Sequence, residues 1–294
     1  MKKFLILGAQ GQLGIELQSA FRDVGQVIAL GRAACDLSDP SSIRAAVRHA
    51  HPDVILNAAA YTAVDRAESE PELALRVNGE APGILAEEAK KNNALLVHYS
   101  TDYVFDGSKP EPWVEDDPVH PLNVYGATKL AGERNIEQIG GRFLILRTSW
   151  VFSPHGHNFL RTMLRLGQER DELKIVNDQS GAPTSASALA TATHRLLAGT
   201  AEQTLQDRAG TYHMTCTGAT TWSGFAQSIF AKAQATRPWA QIKGIPSSEY
   251  PTPAVRPANS RLSNKKLKAA FDIELPSWET ALDVSLKTLK IERS

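Results

Sequence analysis

Short apolar runs alternate with longer segments of mixed polarity through the first half of the chain. The runs are Phe4 to Leu7, Val27 to Leu30, Val54 to Leu56, Leu95 to Tyr99 and Phe143 to Leu146. Each is short and rich in branched residues, as parallel strands buried on both faces are. Helix-length stretches lie between them: Gln12 to Arg22, Pro40 to His49, Pro71 to Asn92 and Val124 to Glu137. Ser38-Asp39-Pro40 offers the second of these a cap and a first turn. Such alternation predicts an α/β fold with a doubly wound parallel sheet.

After about Trp150 the pattern loosens. Four prolines between Ile245 and Pro257 resist regular structure there, so a smaller, irregular C-terminal lobe is expected over 151–294. Two later runs, Leu173 to Val176 and Thr211 to Met214, are expected to return to the large sheet of 1–150 and interleave the lobes. With 294 residues the chain can bury a sizeable core. Its 32 basic and 32 acidic residues cancel, which removes any chain-wide field for nucleic acid or an anionic membrane, so an anionic ligand must be held locally. Cys35 and Cys216 have neither a C-x-x-C partner nor zinc-ligand spacing. The apolar run after Met1-Lys2-Lys3 ends after four residues at Gly8, fitting a first strand better than a signal peptide. No apolar stretch approaches the ~20 residues that span a bilayer. A cytoplasmic protein is expected.

Chemistry enters with Gly8-Ala9-Gln10-Gly11-Gln12-Leu13-Gly14, directly after the first strand and opening the first helix. Glycines there permit a tight turn and close approach to a pyrophosphate, whose charge the helix N-terminus favours. That context points to a Rossmann-type dinucleotide site rather than an ordinary glycine-rich turn. The second strand ends Leu30-Gly31-Arg32, with no carboxylate to repel a ribose 2′-phosphate. Arg32 reads either as partner of that phosphate, favouring NADPH and leaving NADH open, or as an exposed surface arginine. Asp36-Leu37 stands where it contacts an adenine or simply starts the turn before Pro40. Asn57-Ala58-Ala59-Ala60-Tyr61-Thr62 lies at the carboxyl end of the third run, where open α/β sheets bind ligands and small side chains let a cofactor lie close.

Tyr125-Gly126-Ala127-Thr128-Lys129 is the most informative element. A spacing of four on a helix puts phenol and ammonium on one face. The ordinary tyrosine pKa of about 10 makes it a poor proton source or sink at neutral pH, and a neighbouring ammonium is expected to lower it. Upstream, Tyr99-Ser100-Thr101-Asp102 ends the fourth strand with a hydroxyl able to meet a substrate carbonyl.

These residues resemble the extended short-chain dehydrogenases and, within them, the dTDP-4-dehydrorhamnose reductase family. The similarity runs through Asn57 to Asp65 with Glu68, His98 to Gly107, Pro121 to Glu133 and Arg147 to Val151, then Asn177 to Thr184 and Arg256-Pro257-x-Asn259-Ser260. The resemblance implies an oxidoreductase that uses NADPH to reduce the C4 keto group of dTDP-4-dehydro-β-L-rhamnose to dTDP-L-rhamnose. It implies that Tyr125 is the proton donor, that Lys129 tunes it and holds the nicotinamide ribose, and that Thr101 takes the place of the usual serine. By the same resemblance Gly11, Gln12, Leu13, Asp36, Leu37, Ala60, Tyr61, Thr62 and Tyr99 meet the cofactor, and Thr101, Asp102 and Trp150 meet the sugar nucleotide. Asn158, Arg161 and Arg256 are candidates for its base or pyrophosphate, or solvated residues. Trp150 either offers a flat face to the hexose or fills core.

The chain departs from the family at Gly31, where some members are acidic. Some members also bind Mg²⁺ at a dimer contact through glutamates. Glu16 fits one such position and Ser187 stands at another, so no metal ligand is assigned and a homodimer stays open. Two alternatives remain: a nucleotide-sugar epimerase or dehydratase, against which Tyr103 after Asp102 speaks, and a non-catalytic NADP-binding regulatory subunit like that of methionine adenosyltransferase.

Overall fold

The structure is a computed structural model and describes residues 1–235 and 238–291. Six parallel strands form its large sheet: β1 (Lys3–Leu7), β2 (Gln26–Leu30), β3 (Val54–Asn57), β4 (Leu95–Thr101), β5 (Phe143–Thr148) and β6 (Gly210–His213). Their order is β6-β5-β4-β3-β1-β2, so the chain winds outward in both directions from β1 and β3. Leu7 is level with both Leu30 and Asn57, Asn57 with His98, and Thr101 with Thr148, which aligns the carboxyl ends along one edge. Open sheets bind ligands at that edge, beside the reversal of winding.

Successive residues explain the burial on both faces. Phe4, Ile6, Val97, Tyr99, Leu144 and Leu146 enter one apolar cluster; Leu5, Leu7, Ile55, Leu96 and Ile145 enter another. Helix α1 (Gln12–Phe21) covers the first face together with Ala186–Gly199. Helices α2 (Pro40–Ala50), α3 (Ala81–Lys91) and α4 (Val124–Ile139) lie on the second. Asp39 caps α2 by accepting from Ser41 N at 2.9 Å, with Pro40 as its first helical residue.

Two sequence expectations change. Leu173–Val176 does not join the large sheet. The strand Glu172–Val176 pairs in parallel with Gln241–Ile245 instead, and alternation of exposed and buried residues at its start explains why: a strand with a wet face does not suit a sheet covered on both sides. Gly210–His213, buried along most of its length, takes the edge beside β5. Pro71 to Asn92 is not one regular helix. An α-turn over Pro71–Leu75 passes through a π-helical turn, Arg76–Glu80, into α3. Pro82 lacks an N–H for the usual helical ladder, and Asn135 Nδ2 donates to Gly79 O at 2.9 Å within this stretch.

The boundary near Trp150 does not divide the core. The cluster containing Phe4 continues to Leu267, Trp278 and Leu282, so the later helices share it. Among the described residues no helix is long and apolar enough to cross a membrane.

Candidate active site

The glycine loop is built by close approach. Gly8 turns at φ +80°, and its N–H and that of Ala9 both donate to Leu30 O, at 3.0 and 3.1 Å. A Cβ on Gly8 would stand 2.8 Å from Ala59 N, and one on Gly14 would stand 2.0 Å from Gly8 O. Any larger residue would separate β1, α1 and β3. Gly11 precedes α1 without a side-chain cap, leaving its first-turn N–H groups to a phosphate. Leu13 is buried, so it can meet a cofactor through its backbone. Gln12 Oε1 accepts from Asn158 Nδ2 at 2.9 Å. This cradle fits a dinucleotide.

At the end of β2, the Arg32 guanidinium lies 3.7 Å from the Asp36 carboxylate and is 76% exposed. Asp36 is held below the usual carboxylate range chiefly by the N–H and hydroxyl of Ser38. Leu37 is buried in the second cluster. Beyond β3, Asn78 from the π-turn grips Tyr61: its Oδ1 accepts from Tyr61 N at 2.8 Å and its Nδ2 donates to Tyr61 O at 3.0 Å. Tyr61 donates its phenol to Glu70 at 2.7 Å, while Ala60 and Thr62 continue the same loop.

Asn123 starts α4, accepting from Gly126 N at 2.8 Å and donating to Val255 O at 2.7 Å. Tyr125 and Lys129 follow one turn apart. The Tyr125 phenol faces the hydroxyl of Thr101, which ends β4, and its ring meets that of Tyr103 edge to face with centroids 5.7 Å apart. Lys129 is buried; its Nζ donates to Tyr99 O at 2.7 Å and lies 3.1 Å from His98 Nε2, whose Nδ1 is 3.0 Å from Asn57 Nδ2. The expected lowering of the tyrosine is not found. Burial pushes Tyr125 up to about 12, outweighing the opposing effect of the nearby Thr101 hydroxyl. Burial also drives Lys129 down to about 8, against the pull of Glu133. Desolvation disfavours both charged forms. The site therefore holds a protonated phenol, the state a proton donor needs.

Thr101 donates to Asp102 Oδ1 at 3.0 Å. Burial raises Asp102 to about 6, although the hydroxyls of Ser260 and Thr101 oppose the rise. Among the described residues, Ser100 Oγ, Asp102 Oδ2 and Thr148 Oγ1 are buried polar atoms with no protein partner, gathered where β4 and β5 end. Such atoms are costly unless something bonds them.

Other expected contacts are distributed differently. Tyr99 reaches the site only through its carbonyl; its phenol crosses to the other face and bonds Thr193 at 2.7 Å. Asn158 caps Phe159–Glu169, accepting from Arg161 N, and its Nδ2 also donates to Ser153 O and His155 O. Its amide therefore serves the chain beside the glycine loop. Arg161 donates to Pro154 O at 2.6 Å. Arg256 is held by the chain itself: it forms two hydrogen bonds to Asp65, at 3.0 and 2.8 Å, and a third to Thr252. One face of Trp150 is covered by Trp222, with centroids 3.6 Å apart and planes within 8°. His98, Asn78, Ser260 and Trp222 carry no local sequence signal for a role here, because register or chain crossings bring them in. Glu16 lies 3.5 Å from His155 and Ser187 Oγ 3.3 Å from Ser185 Oγ. Among the described residues no group of three or more His, Cys, Asp or Glu side chains could hold a metal ion.

The sequence profile of the family described as RmlD substrate binding domain matches residues 1–291. A dTDP-4-dehydrorhamnose reductase from Burkholderia thailandensis is 50% identical across 98% of this chain and 99% of its own length. One from Escherichia coli K12 is 44% identical across 97% of each. Among solved structures, the dTDP-4-dehydrorhamnose reductase of Bacillus anthracis in complex with NADP superposes with a TM-score of 0.91 at 33% identity, covering 98% of this chain and 99% of that one.

Proposed function

Because the chain belongs to the RmlD substrate binding domain family, we infer that it is the NADPH-dependent oxidoreductase converting dTDP-4-dehydro-β-L-rhamnose to dTDP-L-rhamnose. The observation that carries this reading is the meeting of Tyr125, Lys129 and Thr101 at the end of β4, beside a glycine cradle that a single Cβ would fill.

The cradle of Gly8, Gly11, Gln12, Leu13 and Gly14 holds the pyrophosphate of NADPH, and Asp36 and Leu37 border its adenine. Arg32, exposed and with no carboxylate at positions 30 to 32, takes the 2′-phosphate. Ala60, Tyr61, Thr62 and the Tyr99 carbonyl line the path toward the nicotinamide. When bound, the reduced nicotinamide supplies hydride to C4 of the sugar. Tyr125 delivers its proton to the C4 oxygen as negative charge develops there, and Thr101 hydrogen-bonds the same oxygen. Lys129 then steadies the phenolate left on Tyr125 and meets the nicotinamide ribose. Asp102 and Trp150 border the hexose. Residues 151–294 supply most of the sugar-nucleotide side, in a cytoplasmic enzyme for which a homodimer is the assembly to examine by light scattering.

The test mixes purified protein, NADPH and dTDP-4-dehydro-L-rhamnose, with and without Mg²⁺, and follows loss of the reduced-nicotinamide absorbance. Oxidation with appearance of dTDP-L-rhamnose supports the reading. Tight NADPH binding without oxidation would replace it with the non-catalytic NADP-binding alternative.

A further inference from the structure

Trp150 follows β5 two residues beyond Thr148, the residue level with Thr101, and adopts φ +48°. That left-handed backbone is costly for a bulky residue and persists only where the surroundings hold it. Several contacts do so. Thr184 N donates to Trp150 O at 3.2 Å, and Gly181 passes so close that a Cβ there would stand 2.5 Å from Trp150 Cε2. Trp222 lies flat against the indole from the other chain segment.

Trp222 is itself fixed. It opens the helix Trp222–Lys232, which Thr221 caps by accepting from Gly224 N at 3.0 Å. Its Nε1 donates to Gln179 Oε1 at 3.2 Å, and Phe159 packs against its ring at 4.7 Å. The same wall connects back to the reacting centre, since Ser260, whose hydroxyl helps hold down the Asp102 carboxyl, donates its N–H to Ser180 O at 2.7 Å, next to Gly181.

From this geometry we propose that Trp222 is a positioning residue for the sugar nucleotide, setting the angle of Trp150 by stacking on it. The proposal rests on the reading of Trp150 as a substrate contact. It predicts that removing the Trp222 ring leaves the cofactor site intact and loosens the wall on the sugar side alone.

The test compares Trp222→Ala, Trp222→Phe and Trp150→Ala in steady-state kinetics and in the far-ultraviolet circular dichroism of the coupled indoles. Trp222→Ala is expected to abolish the indole couplet and raise the KM for the dTDP-sugar about tenfold, with the KM for NADPH within about twofold of wild type. Trp222→Phe, which keeps a stacking ring, restores most of that KM without restoring the couplet. In wild type, adding dTDP-L-rhamnose changes the couplet, a measurement independent of any variant's folding. An unchanged sugar KM in Trp222→Ala, or a couplet indifferent to saturating dTDP-L-rhamnose, overturns the proposal. If Trp150→Ala also leaves the sugar KM unchanged, the reading of Trp150 as a substrate contact falls with it; if only Trp222→Ala does, that reading stands and the positioning role alone is lost.

Discussion

Tyr125 and Asp102 are neighbours whose protons answer to burial rather than to charge partners. For Tyr125 the consequence is kinetic. Tyr125→Phe keeps the ring beside Tyr103 and loses the proton, so turnover should fall by about a hundredfold or more while NADPH affinity, read by cofactor fluorescence, stays within about twofold. For Asp102 it is energetic. Its folded pKa of about 6 lies above the ordinary 3.8, so the native state binds this proton more tightly than the unfolded chain. Stability from this group is therefore greatest below about pH 4 and declines as pH rises through about 6, by roughly 2–3 kcal/mol. Asp102→Asn removes the penalty. Urea denaturation should find the variant more stable than wild type near pH 8 and no more stable near pH 4. Arg32→Ala should raise the KM for NADPH about tenfold and leave that for NADH nearly unchanged, a contrast that separates a 2′-phosphate partner from a solvated arginine.

Among secondary-structure elements, the pairing of α2 with α3 offers a further prediction. Glu88, buried on α3, accepts from Arg48 and Arg44 of α2 and from Lys91. Arg48 foremost, then Lys91 and Arg44, hold its carboxyl at about 2 against the opposing effect of burial. The stabilisation is complete above the ordinary glutamate range and is lost as pH falls from about 4.5 through about 2. Because its cationic partners are partly in water, Glu88→Gln should cost about 2 kcal/mol at neutral pH, with the gap closing in acid, as measured by chemical denaturation. Elements of this kind were legible in the sequence where period and length agree: β1 to β5, α1, α2 and α4. Tyr125 and Lys129 were legible because both lie on one helix. The π-turn was not, since its irregularity reflects Pro82 and the tertiary contacts of Asn78 and Gly79. His98 beside Lys129 depends on strand register, and Trp222 against Trp150 on a crossing of distant segments, neither of which leaves a local period. Glu172–Val176 shows the limit of apolar content alone: its partner strand, Gln241–Ile245, adjoins the proline tract that hid it.

Across the whole molecule, the two parts of the chain meet through shared core and through a clasp above Tyr125. Asp65, in the short helix Val64–Ala67 that follows β3, accepts from Ala254 N and from Arg256, while Asn123 holds Val255 O. Asp65→Ala should therefore speed hydrogen exchange across 252–256 about tenfold without altering exchange in β1 to β5, and raise the sugar-nucleotide KM more than the NADPH KM. The late return of β6 has a consequence for how the chain is made. When Thr148 leaves the ribosome, the far edge of β5 has no neighbour, and it gains one only after the whole segment from 149 to 209 has been synthesised. During that interval the nascent sheet presents an unpaired strand, a template to which other chains can add. A gene fragment ending between those points would preserve the glycine loop, Tyr125 and Lys129, yet it would encode a sticky particle in place of a smaller enzyme.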